Sequence, residues 1–123
     1  MNTKDPKLTA LMFNECINSQ DIEKLSILMS EDHSFIDRDG NVHGPKEFMI
    51  KAWENFFKLF PDYKNTFLKL ESRDDIVIIS GSAYWSEENQ DDSSIWIVKI
   101  EDDLVKEWRI YYNTDENRKL FNI

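Results

Sequence analysis

Gly44-Pro45-Lys46-Glu47-Phe48-Met49-Ile50-Lys51-Ala52-Trp53-Glu54-Asn55-Phe56-Phe57-Lys58-Leu59-Phe60-Pro61 is the stretch on which the fold turns. Phe48, Met49, Ala52, Trp53, Phe56, Phe57 and Phe60 recur at alternating short and long steps, which lays one apolar stripe along a helix. Pro45 suits a first helical turn, where a missing N–H costs nothing, and Pro61 stops the helix. Beyond Pro61 the period changes to that of strands. Tyr63 to Leu70, Ile76 to Trp85, Ile95 to Ile100 and Leu104 to Tyr112 are strand-like runs, separated by the acidic clusters Glu71 to Asp75, Ser86 to Ser94 and Glu101 to Asp103. Connections this short join antiparallel neighbours, so the second half reads as a meander with solvated tips such as Asp91-Asp92.

Upstream of Gly44 the chain alternates differently. Leu8, Leu11, Met12, Phe13, Cys16 and Ile17 predict a helix over Lys7 to Asn18. Asp21 caps a shorter helix carrying Ile22, Leu25, Leu28 and Met29, with Glu31-Asp32 as its end. A strand follows from His33 to Asp37, then the turn Asp39-Gly40-Asn41. Helix, helix, strand, helix and four antiparallel strands make an α+β fold: three helices packed on one face of a curved antiparallel sheet, in a single domain over residues 1–123.

Composition narrows the partners. A formal charge of -9 excludes nucleic acid and anionic membrane, which call for clustered Lys and Arg. Eight Phe, four Trp and four Tyr predict an interior of large rings, the setting of a small-molecule pocket. Cys16 is the only cysteine, and no cationic neighbour lowers its pKa, so it reads as a core thiol in a reducing, cytoplasmic setting. No apolar run approaches the ~20 residues of a membrane helix. There is no glycine-rich phosphate loop, no Walker-type lysine and no metal spacing, so no cofactor and no metal are expected.

Within Phe35-Ile36-Asp37-Arg38-Asp39-Gly40, Asp37 is either a strand-end acid that caps the turn or an acid set against an apolar cavity. In the second setting desolvation would raise its pKa and suit it to act as a general base. His33 shares a strand face with Asp37, but four residues at ~3.3 Å rise hold the two roughly 13 Å apart. His43 follows the turn and can fold back toward the strand; both histidines read as surface or structural.

The element order, with the strings NSQDIEKLSILMSEDHSFIDRDGNVHGPKEF, FPDYKNTF and EWRIYYN, resembles the SnoaL-like domains of the nuclear transport factor 2-like superfamily, relatives of ketosteroid isomerase and polyketide cyclases. The resemblance spans Leu8 to Tyr112 and implies a cystatin-like cone around a pocket for a small, largely apolar organic ligand. It places the isomerase general base on Asp37. The tyrosine that donates to the enolate in isomerases falls on Phe13, and the second donor falls near Ser93 to Ile95, where no acid stands. The closing strand reads Tyr111-Tyr112-Asn113 in place of Tyr-Tyr-Asp, so an amide replaces an acid. No Asp-Arg-Asp set of the hydrolase type is placeable, Arg109 being the strand arginine available.

Alternation along the last strand separates Leu104, Lys106, Trp108, Ile110 and Tyr112, facing the helices, from Val105, Glu107, Arg109, Tyr111 and Asn113. The resulting candidates are Asp37 as catalytic acid or base and Phe13, Phe35, Trp53, Phe56, Tyr63, Tyr84, Trp96, Trp108, Tyr112 and Asn113 as ligand contacts. Isomerase, cyclase or dehydratase chemistry and a non-catalytic binding or dimerisation module are the two functions in play. A homodimer is expected through the outer sheet face, where Val105 and Tyr111 project.

Overall fold

The computed structural model describes residues 1–87 and 92–123. The chain forms α1 (Pro6–Ser19), α2 (Ile22–Ile27), β1 (Met29–Ile36), β2 (Val42–His43) and α3 (Lys46–Leu59). It continues through β3 (Lys64–Arg73), β4 (Ile76–Tyr84), β5 (Asp92–Glu101), β6 (Leu104–Tyr112) and α4 (Asp115–Leu120). The expected tip at Asp91 lies outside the described residues.

Six strands form one sheet in the order β2-β1-β6-β5-β4-β3. β3 to β6 are the expected antiparallel meander. β1 runs parallel to β6, so the sheet is mixed and not wholly antiparallel. The whole of β2, α3 and the meander intervene between these two strands, ample chain for a return in the same direction.

The apolar stripe of α1 packs across the sheet, and Phe13, Ile17, Leu25, Met29, Val77, Ile79, Trp96, Val98 and Trp108 are buried with it. Side-chain amides pin α1 to β3. Asn18 Nδ2 donates to the Asn65 carbonyl at 2.9 Å, the Asn65 N–H returns a bond to Asn18 Oδ1 at 2.9 Å, and Asn65 Nδ2 donates to Asn14 Oδ1 at 3.2 Å. Cys16 is buried as expected, and burial pushes its thiol pKa up.

One helix end and one strand face differ from the sequence reading. α2 stops at Ile27 because Met29, a good helix former, already pairs with Val105 of β6; strand pairing overrides propensity. Val105 is buried in the core and does not project outward. A register shift near Lys106, where Ile100 pairs with Val105 but Lys99 pairs with Glu107, reverses the alternation at that point. A second shift, between Phe67 and Lys69, leaves Leu68 exposed and brings Gly81 so close to β3 that an added Cβ would lie 2.0 Å from the Thr66 carbonyl oxygen.

The C-terminal segment was not anticipated. Thr114 caps α4 by accepting from the Asn117 N–H, and the chain then crosses the outer sheet face. Phe121 stacks edgewise on Tyr111 at 4.8 Å, and Arg73 at the end of β3 donates to the Phe121 carbonyl at 2.7 Å. Arg73 is thus a second strand arginine beside Arg109.

Candidate functional site

The open end of the layer between α3 and the sheet holds a cavity of about 480 Å³. Its wall follows from the α3 stripe: Phe48, Met49, Ala52, Trp53 and Phe56 face the sheet, joined by Phe35, Tyr63, Trp85 and Ile110. Pro61 turns the chain so that Tyr63 meets Phe56 at 4.8 Å, and Trp85, just past β4, closes on Phe56 at 5.4 Å. Trp53 stands edge-on to Phe35 at 5.8 Å and to Phe56 at 5.6 Å. Edge-to-face rings brace one another, so the wall is stiff as well as apolar.

The polar groups converge at one end, from the turn after β1. Gly40 adopts φ 84°, a conformation that favours glycine, and its N–H closes the turn onto the Asp37 carbonyl at 3.0 Å. The turn aims the amides of Asp39 and Asn41 at Asp37 Oδ1, each at 3.0 Å. β2 then pairs back on β1 with His43 opposite Phe35, which sets His43 Nε2 3.0 Å from Asp37 Oδ2. The His43 bond holds the Asp37 carboxyl below the usual carboxylate range; burial, the next largest effect, opposes it, and the backbone amides of Asn41 and Asp39 add to the lowering. The direction is opposite to that of a desolvated base.

Arg38, next in the turn, also lines the cavity. Its Nη2 donates to Ser94 Oγ at 2.7 Å and its guanidinium lies 5.2 Å from the centre of the Tyr112 ring.

Of the residues singled out from sequence, Asp37, Phe35, Trp53, Phe56, Tyr63 and Tyr112 come together on this lining. Phe13, Trp96 and Trp108 lie off it, fully buried: Phe13 packs on Trp108 at 4.7 Å and Trp96 on Phe67 at 5.0 Å. Tyr84 alternates with Ala83 and so faces away from the helices. Asn113 lies beyond the rim, its Nδ2 donating to Ser93 Oγ at 3.0 Å while its Oδ1 accepts from Arg118. Sequence reasoning missed Arg38, Asp39 and Trp85, and it left His43 without a role; the pairing of β2 with β1 decides the last. The one signal for His43 was the turn itself.

His33 is wholly buried against Phe13, with its Nδ1 2.7 Å from the Val105 carbonyl. That carbonyl can only accept, so Nδ1 carries the hydrogen and Nε2, which has no partner, carries the lone pair. Burial pushes the His33 pKa down. Gly44 has no side chain because an added Cβ would stand 2.7 Å from the His33 carbonyl oxygen. Among the described residues no group of three or more His, Cys, Asp or Glu could hold a metal ion. Among the described residues no helix is long and apolar enough to cross a membrane.

No protein-family model and no curated protein matches the chain. Solved structures do. A cystatin-fold protein from Novosphingobium aromaticivorans superposes with a TM-score of 0.77 at 14% identity, covering 87% of this chain and 97% of that one. The chain has the cone fold of the nuclear transport factor 2-like proteins. A proposed SnoaL-like polyketide cyclase from Shewanella putrefaciens gives 0.75 at 13% identity, over 97% of this chain and 88% of that one. An epoxide hydrolase of the LEH-like type from M. tuberculosis gives 0.80 at 7% identity, over 88% and 82%. Identities this low carry the fold and not the chemistry.

Proposed function

We propose that this protein binds a small, largely apolar organic ligand in the ring-lined cavity and moves a proton at the cavity's polar end. The chemistry would be of the isomerase, cyclase or dehydratase type and need no cofactor. One observation carries the reading: a hydrogen-bonded carboxylate and imidazole, Asp37 and His43, stand at one end of an otherwise aromatic cavity of about 480 Å³. A fixed polar pair in an apolar cleft is the arrangement that orients a ligand and exchanges protons with it. The polyketide cyclase and epoxide hydrolase among the structural neighbours support a ligand-binding use of the fold.

A non-catalytic binding module is the second reading, favoured by Phe13 and Asn113 at positions where the resemblance places ionisable or donor groups. 2-Acetylnaphthalene separates the two, being apolar and carrying exchangeable hydrogens beside a carbonyl. Titration into the protein should quench tryptophan fluorescence saturably, and Phe56→Ala should weaken that binding about tenfold. In heavy water the methyl hydrogens should exchange faster than in buffer alone, and Asp37→Asn should reduce the acceleration about tenfold while binding persists. Binding without exchange would establish the non-catalytic reading, and no saturable binding would remove both.

For the assembly, a homodimer through the outer sheet face completes the proposal. That face includes Tyr111 and the C-terminal segment, with Leu120 and Ile123 exposed upon it. Sedimentation showing only monomer at micromolar concentration would exclude it. The lone buried cysteine supports a cytoplasmic setting.

A further inference from the structure

The geometry points to His43, not Asp37, as the group that exchanges a proton with the ligand, with Asp37 as its positioning residue. This rests on the reading of the cavity as a site of proton transfer, and it follows from where the lone pairs are already committed. Asp37 Oδ1 accepts from two backbone amides, both at 3.0 Å, and those amides belong to a turn closed by its own hydrogen bond. Protonating Oδ1 would set a hydrogen against both donors. Oδ2 accepts from His43 at 3.0 Å. An ionised carboxylate only accepts, so the imidazole hydrogen sits on Nε2 and the lone pair on Nδ1.

That Nδ1 makes no hydrogen bond to any described residue, and it is not among the polar atoms sealed from solvent. His43 itself lines the cavity. The ring is held by the pairing of His43 with Phe35, by their ring contact at 6.1 Å, and by Asp37. Its orientation is therefore set before any ligand arrives. The charged groups on the same lining are Asp37, Arg38 and Asp39, all from the one turn, whereas α3 presents only apolar side chains there. Lys46, at the start of α3, is directed to Glu31 at 3.7 Å.

The step balances without a further reactant. A ligand C–H beside a carbonyl loses its proton to Nδ1, the bonding pair moves into the enolate, and the imidazolium formed remains paired with the Asp37 carboxylate. Return of that proton from Nδ1 to a conjugated carbon of the enolate completes an isomerisation and restores the neutral imidazole.

5-Nitrobenzisoxazole, an apolar aromatic probe, reads this base directly. Removal of its ring C–H proton sends the electron pair into a nitrile as the N–O bond breaks, leaving a coloured cyanonitrophenolate. The elimination should run faster on the protein than in buffer alone. His43→Asn should cost at least about 100-fold, and Asp37→Asn about tenfold, through loss of orientation and not of the base. Nitrogen NMR should show the neutral His43 with its hydrogen on Nε2, a signature that a merely structural Asp37 would not set and that Asp37→Asn should abolish. A rate unchanged in His43→Asn would return the base to Asp37 and overturn the assignment. So would a hydrogen found on Nδ1, or no elimination from a probe that binds. Failure of the probe to quench tryptophan fluorescence would instead count against the cavity reading itself.

Discussion

His33→Phe isolates the cost of keeping one imidazole neutral inside the core. In the native fold Nδ1–H donates to the Val105 carbonyl and Nε2 has no partner, so a proton added to Nε2 would point into apolar surroundings. The folded-state pKa is accordingly depressed. For a histidine depressed in this sense, the unfolded chain takes up the proton first, so stability is fully present above the unfolded pKa and falls as pH drops below it toward the folded value. With an unfolded pKa near 6.5, a proton withheld by the fold costs at most about 1.4 kcal/mol at pH 5.5 and less than about 0.1 at pH 7.5. Phenylalanine fills similar space beside Phe13 but abandons the Val105 carbonyl, a loss of about 1–2 kcal/mol at neutral pH. The variant should therefore be less stable at about pH 7.5, and the gap should narrow as pH falls below about 6.5. Urea unfolding followed by tryptophan fluorescence at several pH values measures both, and His43 and the carboxylates cancel because they are common to the pair. Parallel loss of stability in the two proteins over that range would refute the assignment of a neutral buried His33.

Three further outcomes are expected. Asp37→Asn should lower stability near pH 6, and the gap to wild type should close as pH falls below about 3.9, because a depressed carboxyl pKa stabilises only the ionised form; urea midpoints across that range test the sign. Gly81→Ala should cost about 3 kcal/mol, since its Cβ would meet backbone of β3 and not a yielding side chain, read by thermal and urea unfolding. Phe56→Ala should cost at least about 2 kcal/mol, because its ring touches Trp53, Phe57, Phe60, Tyr63 and Trp85, and unfolding measured beside ligand binding separates wall stiffness from contact.

The cavity was half legible. Trp53 and Phe56 were named from the α3 stripe, and the same periodicity carries Phe48, Met49 and Ala52 to the sheet. Phe13 and Trp108 carry the same apolar signal but lie deeper in the layer, packed on each other between α1 and the sheet, and periodicity reports which face is buried, not how far from an opening. The alternation along β6 failed at Val105 because a register shift depends on the partner strand, which a strand's own sequence does not contain. Arg73 and the C-terminal segment were missed for a similar reason: the segment is short and polar, and its place on the sheet is set by a hydrogen bond to a residue far away in the chain.

By itself the sequence determined the local terms: a helix between two prolines, strands with short acidic connections, a turn that needs glycine, and a net charge of -9. These depend on near neighbours and on composition, and so they can be read one segment at a time. The tertiary structure alone decided that β1 lies parallel against β6, that β2 folds back on β1, and hence that Asp37 meets His43 and not His33. Hydrogen bonds across strands join residues whose separation in sequence carries no information about their separation in space. Whether Asp37 is a base or the partner of one turns on such bonds.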